Sequence, residues 1–242
     1  MPELGEAITY HLRVPTPLLM SWVTVLILVG LSFAATRRLE TAPRGLQAFF
    51  ELALGFIFGL ADETIGPDGR RLYPLFLGLF LFILVGNLIG LVPGLSSPTA
   101  NLSTTAALAL IVFSTIHALG IRKHGILGYL KHLSGDVPWW LKPLMFVIEV
   151  IGELARPLSL AFRLFGNLMA KEVLLGVLAF LVIYLYQAGG VIDTTLTIVP
   201  LLLRPLIILL GVLVSFLQAY IFTVLSITYI GSAIKVHAER SH

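Results

Sequence analysis

Cysteine is absent from this 242-residue sequence, and charge is scarce, with 12% of residues being Asp, Glu, Lys or Arg. The first absence excludes disulfides, thiolate metal sites and cysteine nucleophiles, and leaves open which redox compartment the loops face. The second, beside 57% hydrophobic residues and a mean hydropathy of +0.97, excludes a water-soluble globule, because that much apolar surface cannot be hidden in an aqueous core. No basic run is long or clustered enough to track a phosphate backbone, so the net charge of +3 does not point to nucleic acid. The first basic residue, Arg13, follows Glu3 and Glu6, so the basic n-region of a signal peptide is missing and the segment is expected to be retained. Internal repeats, low-complexity tracts and inverted symmetry are also missing. So are an H-E-x-x-H zinc motif and a paired nucleophile and base, which argues against an intramembrane enzyme.

What is present is a series of apolar stretches. Residues 18–36 carry no charge and are closed by Arg37 and Arg38, predicting one crossing of a ~30 Å hydrocarbon layer. Residues 43–61 contain Glu51 and are bracketed by Arg44 and by Asp62, Glu63, Asp68, Arg70 and Arg71, the pattern of a helix lying in the interface. Between Arg71 and Arg122 there is no charge, and Val92-Pro93-Gly94-Leu95-Ser96-Ser97-Pro98-Thr99 cuts the stretch. A helical hairpin over 72–92 and 102–120 follows, with Gly120 ending its second arm. The polar loop beyond holds Arg122, Lys123, Lys131, Asp136 and Lys142, with Trp139 and Trp140 as an interfacial anchor.

Two long apolar segments complete the chain, 143–187 and 195–236, separated by Ala188-Gly189-Gly190 and Asp193. Each is about twice the length one perpendicular span needs, and no polar turn interrupts it. Steep tilt follows, with Pro157, Pro200 and Pro205 as bending points. The expected fold is therefore all-α and polytopic: one membrane domain of five transmembrane helices plus one interfacial amphipathic helix, the last two helices long and tilted.

Five spans put residues 37–71, 122–142 and the tail after 234 on one side, where they hold 5, 4 and 2 basic residues; the other side holds only Arg13. The positive-inside bias places the N-terminus outside and the C-terminus in the cytoplasm.

Four basic residues, Arg156, Arg163, Lys171 and Arg204, fall inside the apolar segments, and 143–187 also holds Glu149, Glu153 and Glu172. A charge near mid-bilayer costs at least ~2.5 to 3.5 kcal/mol on insertion scales unless it finds a partner or water. On a regular helix Glu149, Glu153, Arg156, Arg163 and Asn167 share one stripe, with Ser159 at its edge. Arg163 lies among apolar neighbours and keeps its charge even there, so it is a fixed cation and not a proton carrier. Glu172, nine residues on, points about 180° away and addresses a different wall. In the last helix Arg204, Gly211, Ser215, Gln218, Phe222 and Tyr229 also form one face.

Blander readings exist for several of these residues. Glu149, Glu153 and Arg156 fit snorkelling or paired interfacial charges as well as a proton path. Asn167 and Gln218 fit interhelical hydrogen bonding, and Arg204 fits either Asp193 or lipid headgroups. His117, His124 and His132 read as loop or interfacial residues, with no second metal ligand at i+4.

The run Pro157-Leu158-Ser159-Leu160-Ala161-Phe162-Arg163-Leu164-Phe165-Gly166-Asn167, followed by Ala170-Lys171-Glu172, strongly resembles subunit a of the F-type ATP synthase. Asn87-Leu88-Ile89-Gly90-Leu91-Val92-Pro93, Pro98-Thr99-Ala100-Asn101-Leu102-Ser103 and Leu217-Gln218-Ala219-Tyr220-Ile221-Phe222 leading to Tyr229 extend the resemblance over about Leu18 to Ile234. It implies a non-catalytic stator subunit, without cofactor or metal, in the membrane Fo sector. Its partners would be the c-subunit ring, the b-subunit peripheral stalk, lipid and protons. The host would be a bacterial plasma (inner) membrane in preference to a thylakoid.

By the same resemblance Arg163 faces ring carboxylates, holds them ionised as they pass, and separates two half-channels. Glu172, Asn167 and Gln218 match the outer half-channel, while Glu149, Ser159 and Tyr229 lie toward the inner one. One departure stands out: some members have glycine before the glutamate and histidine seven residues ahead of the glutamine, where this chain has Lys171 and Gly211. Lys171 is therefore expected to replace a histidine relay or to tune Glu172. The family usually carries protons, although sodium-coupled members exist. A self-contained transporter is the competing reading, and the uneven spans and missing repeat argue against it.

Overall fold

Apolar stretches in lipid must satisfy their own backbone, which favours helices. The computed structural model describes residues 16–37, 40, 43–92, 94–133, 138, 140–188 and 191–235, and among these every regular element is helical. Helix α1 spans Thr16–Thr36, α2 Leu46–Thr64, α3 Tyr73–Ile89, α4 Leu102–Leu133, α5 Lys142–Ala188 and α6 Val191–Lys235. Short 3-10 turns cover Pro67–Leu72 and Pro98–Ala100. Five stretches are long and apolar enough to cross a membrane: Thr16–Thr36, Gly69–Ile89, Leu102–Arg122, Lys142–Gln187 and Pro200–Ile234. The chain is an all-α, multi-pass membrane protein. Arg13, Arg38, Pro93, Asp136, Trp139, the Gly189-Gly190 pair and Arg240 lie outside the described residues, as do the side chains of Lys123, His124, Lys131, His132 and Asp193.

Two local features depart from the sequence reading. Gly120 does not stop α4; it is buried inside the helix, and the backbone breaks instead at Gly125, with φ 70° and ψ 165°. A helix tolerates an internal glycine at about 1 kcal/mol, whereas only glycine takes a positive φ without strain. His117 accordingly sits within α4 and not in a loop, its ring 4.0 Å from that of Phe113. The arms α3 and α4 also do not form a close hairpin. Helix α6 packs against both of them, and against α2 and α5.

Helix α5 runs for 47 residues and α6 for 45, so each is roughly 70 Å long, about twice a ~30 Å hydrocarbon layer. Standing perpendicular, either would project well beyond that layer. Pro157, Pro200 and Pro205 are all carried inside these helices. Leu160, Ala161, Leu164, Leu168 and Lys171 form the buried stripe of α5, while Leu158, Phe162, Met169 and Val173 are exposed on its other side. Of the α6 face read from spacing, Gly211, Ser215, Gln218 and Phe222 are buried, while Arg204 and Tyr229 are half-buried.

Candidate functional site

The buried and half-buried charges of α5 and α6 separate into two groups, with Arg163 between them. In the first, Lys171 is nearly buried, and its Nζ donates at 3.1 Å to the carbonyl of Asn87 in the last turn of α3. Carbonyls there lack intrahelical donors and sit at the negative end of the helix dipole, so a cation is well placed. Gly211 makes room for this reach: a Cβ at that position would lie 3.3 Å from Lys171 Cδ and 2.7 Å from Leu91 Cδ2. The lysine stem thus occupies space that a side chain at 211 would otherwise claim.

Glu172, adjacent in sequence, turns to another wall. Its Oε1 accepts the backbone N–H of Ser97 at 3.0 Å, which ties α5 to the turn between α3 and α4. That turn is held by a buried polar knot. Ser97 Oγ donates to the Gly86 carbonyl at 2.9 Å, Thr99 Oγ1 donates to Asn87 Oδ1 at 2.5 Å, and the two hydroxyl oxygens are 2.7 Å apart. The knot therefore spans both acceptors and donors that face Lys171 and Glu172. Asn87 Nδ2 is buried and has no hydrogen-bond partner among the described residues.

Asn167 and Gln218 link α5 to α6 directly, Nδ2 of Asn167 donating to Oε1 of Gln218 at 2.8 Å. The hydrogen-bonding reading of these two residues is thus realised, yet Gln218 Nε2 is buried and has no partner among the described residues. An orphan amide of this kind costs about 1–3 kcal/mol unless water reaches it. Space for water exists, in a cavity of about 440 Å³ lined by Asn167, Lys171, Gly211 and Gln218. A second cavity of about 300 Å³ is lined by Glu172, Arg204, Gly90, Leu95, Ser96 and Gly176.

The second group lies nearer the start of α5. Arg156 donates to Glu153 Oε1 at 2.6 Å, approaches Glu149 Oε1 at 4.0 Å, and stands 5.5 Å from the ring centroid of Tyr229 on α6. Both carboxylates and the phenol thus gather around one guanidinium. Glu153 Oε2 is buried with no hydrogen-bond partner among the described residues.

Arg163 belongs to neither group. Along the helix it is nine residues from Glu172 and ten from Glu153, about 14–15 Å each way. It is exposed at the chain's surface, flanked by the exposed Phe162 and Leu158, and among the described residues it makes no hydrogen bond or ion pair. Ser159, one turn before it, is exposed too and joins neither group. Of the sequence-selected residues, the fold therefore assembles Lys171 and Glu172 around one turn, Asn167 with Gln218, and Glu149 and Tyr229 each beside Arg156. Sequence reasoning assigned no role to Asn87, Ser97 or Thr99; the one local signal was an asparagine and a hydroxyl cluster inside an otherwise charge-free stretch.

A family model described as ATP synthase A chain matches residues 18–231, which is most of the sequence. The chain belongs to that family. Its similarity to individual members is also extensive. It is 48% identical over 215 residues to ATP synthase subunit a 1 of Syntrophotalea carbinolica, covering 89% of this chain and 84% of that one. It is 46% identical over 218 residues to ATP synthase subunit a 3 of Pelobacter propionicus, covering 90% and 87%. To ATP synthase subunit a of Geobacter sulfurreducens it is 45% identical over 218 residues, again covering 90% and 87%. Membership of the subunit a family makes this a membrane subunit associated with ATP synthesis and ion transport, not an enzyme in its own right.

Proposed function

We propose that the chain is the proton-conducting stator subunit of a rotary ATP synthase, with two offset half-channels and Arg163 facing the carboxylates of a rotating c ring. The observation that carries this reading is the unpaired, exposed guanidinium of Arg163, set between two separate polar groups. A permanent cation inside a lipid-length helix needs a counter-charge, and none is offered within the described chain. A passing carboxylate from a neighbouring subunit would supply it.

In this reading Glu172, Asn167, Gln218 and Lys171 serve the outer half-channel, and Glu149, Ser159 and Tyr229 the inner one. A proton from outside reaches a ring carboxyl, travels round with the ring, and leaves inward where Arg163 stabilises the ionised form. The same cation blocks direct passage between the two vestibules. Each charge crossing the potential releases ~2.3 kcal/mol per 100 mV, so several must pass for each ATP made elsewhere. The domain is a single membrane unit with α2 in the interface, held by a b-subunit stalk, in a bacterial plasma membrane with the N-terminus outside and the C-terminus cytoplasmic.

Liposomes test the reading against a self-contained transporter. The purified chain alone is expected to give no selective proton flux above empty vesicles, and flux is expected only with the c ring present. Substantial selective transport by the chain alone would overturn the proposal.

Lys171 stands in for the missing histidine because its stem lies over Gly211 and its ammonium anchors Asn87. Lys171→Gly is expected to lower proton flux about tenfold, the scale of a lost charged hydrogen bond. Lys171→Gly combined with Gly211→His is expected to recover part of it. Unaltered flux in Lys171→Gly across the pH range, read by quenching of a pH-sensitive dye, would exclude the assigned role.

A further inference from the structure

Of the two carboxylates near the start of α5, Glu153 is the deeper, and it has no assigned part in either half-channel. Side-chain exposure falls from 40% at Glu149 to 12% at Glu153, one turn further along the helix. Glu153 stands two turns before Leu160 and in line with the buried Leu160, Leu164 and Lys171. A charge set on that side of a membrane helix is expensive unless it is paired. Arg156 supplies the partner, its Nη1 donating to Glu153 Oε1 at 2.6 Å.

That bond engages one carboxylate oxygen and leaves the other. Oε2 is buried and has no hydrogen-bond partner among the described residues. A structural ion pair away from water is stable when its remaining lone pairs are also satisfied, and arginine can do this by gripping both oxygens at once. Here the fork is split. The second nitrogen, Nη2, is 4.0 Å from Glu149 Oε1, and the guanidinium carbon stands 5.5 Å from the ring centroid of Tyr229 on α6. One lobe of Glu153 is thus fixed while the other is free to take a hydrogen.

Glu153 also lies on the way inward. Along α5 it is ten residues from Arg163, and Glu149 is fourteen, about 15 and 21 Å. A proton released beside Arg163 therefore comes level with Glu153 before Glu149. Ser159 lies nearer still, but it is exposed at the chain's surface and joins neither polar group.

We infer that Glu153 is a proton-transfer residue of the inner half-channel, receiving on its free Oε2 the proton that a ring carboxyl releases and passing it to Glu149 or to inner water. This rests on the proposed half-channel function and adds a step to it. The O–H bond of the ring carboxyl breaks as one forms at Oε2, through intervening water. The bond at Oε2 then breaks as the proton moves inward, and Glu153 returns to its carboxylate form with no electron transferred. Arg156 is the positioning residue, holding Oε1 so that Oε2 keeps its place through the cycle.

The test is proton flux through assembled complexes in proteoliposomes at fixed potential, read by dye quenching and normalised to assembled complex by immunoblot. Glu153→Gln keeps the shape and an acceptor for Arg156 but cannot take up a proton. It is expected to lower flux on the order of tenfold, less than the ~100-fold a positioned proton-transfer group can contribute, because water offers a slower way round. Glu153→Asp, which restores a carboxylate, is expected to recover most of that loss. Arg156→Gln, which leaves the carboxylate in place, should stay closer to native than Glu153→Gln. The double variant Glu153→Gln with Arg156→Gln separates proton transfer from charge balance, and it serves also if Glu153→Gln alone assembles poorly, since it strands no cation. A carboxylate whose one task is to neutralise Arg156 is not needed once the guanidinium is gone. Flux as low in the double variant as in Glu153→Gln is the expected result; native flux in either would overturn the inference. Arg163→Ala in the same vesicles separates the two levels. If it retains ATP-driven pumping, the half-channel function fails; if it is inactive while Glu153→Gln matches native flux, only the Glu153 step fails.

Discussion

Arg163→Ala is expected to lower ATP-driven proton pumping on the order of 100-fold or more in complexes that assemble normally, the scale on which preorganised charge stabilisation is lost. The position of the side chain decides this. It lies outside both polar groups and is exposed at the chain's surface, with the exposed Ser159 and Asn167 one turn to either side. Its removal should therefore disturb little packing within the chain, and the level of assembled complex should hold. What disappears is the fixed charge that stabilises a passing ring carboxylate and bars a proton from crossing between vestibules. Pumping should fall while passive proton leak through the ring-bound complex rises. Arg163→Lys keeps the charge but not the planar fork, and is expected to restore the leak barrier more fully than the pumping. Both quantities are read from the same vesicles, pumping with ATP and leak under an imposed gradient. Retained pumping in Arg163→Ala would refute the role.

Gly90→Val is expected to cost about tenfold or more in proton flux, for a reason that no charge argument supplies. A Cβ at position 90 would come within 2.7 Å of Ser97 Cβ, 3.0 Å of its backbone nitrogen and 3.2 Å of its Cα. The obstacle is main chain, not the end of a flexible side chain, so the turn must move. That same Ser97 nitrogen donates to Glu172, and its hydroxyl holds the polar knot. Overpacking of this kind typically costs 1–3 kcal/mol, enough to open the turn without unfolding a five-span bundle. Immunoblots of assembled complex together with dye-quenching flux separate the two outcomes. Normal assembly with native flux would show that the Ser97 contact is dispensable.

Several of these features are legible along the sequence, because the cost of burying charge marks its own residues. Arg163, Glu172 and Lys171 stand out within a segment where lipid penalises them, and helical spacing alone separates Arg163 from Glu172 by half a turn. The inward polar stripe of α6 from Arg204 to Tyr229 is likewise readable from its 3.6 periodicity. Contacts between distant segments leave no such trace. Ser97 meets Glu172 across 75 positions and Lys171 meets Asn87 across 84, and neither pair shares a periodic pattern. The passage of α6 against both α3 and α4 is a matter of packing among similarly apolar helices, which differ too little in composition to announce their neighbours. The shift from Gly120 to Gly125 has a simpler cause: both are glycines, and only the backbone angle distinguishes a tolerated one from a helix break.

The most direct measurement is a map of the assembled complex resolving α5 against its neighbours. The account predicts the Arg163 guanidinium facing a ring carboxylate closely enough for a direct or water-bridged contact, with separate wet spaces beside Glu172 and beside Glu149. An Arg163 side chain turned to lipid, or a continuous water path joining the two spaces past it, would contradict the account.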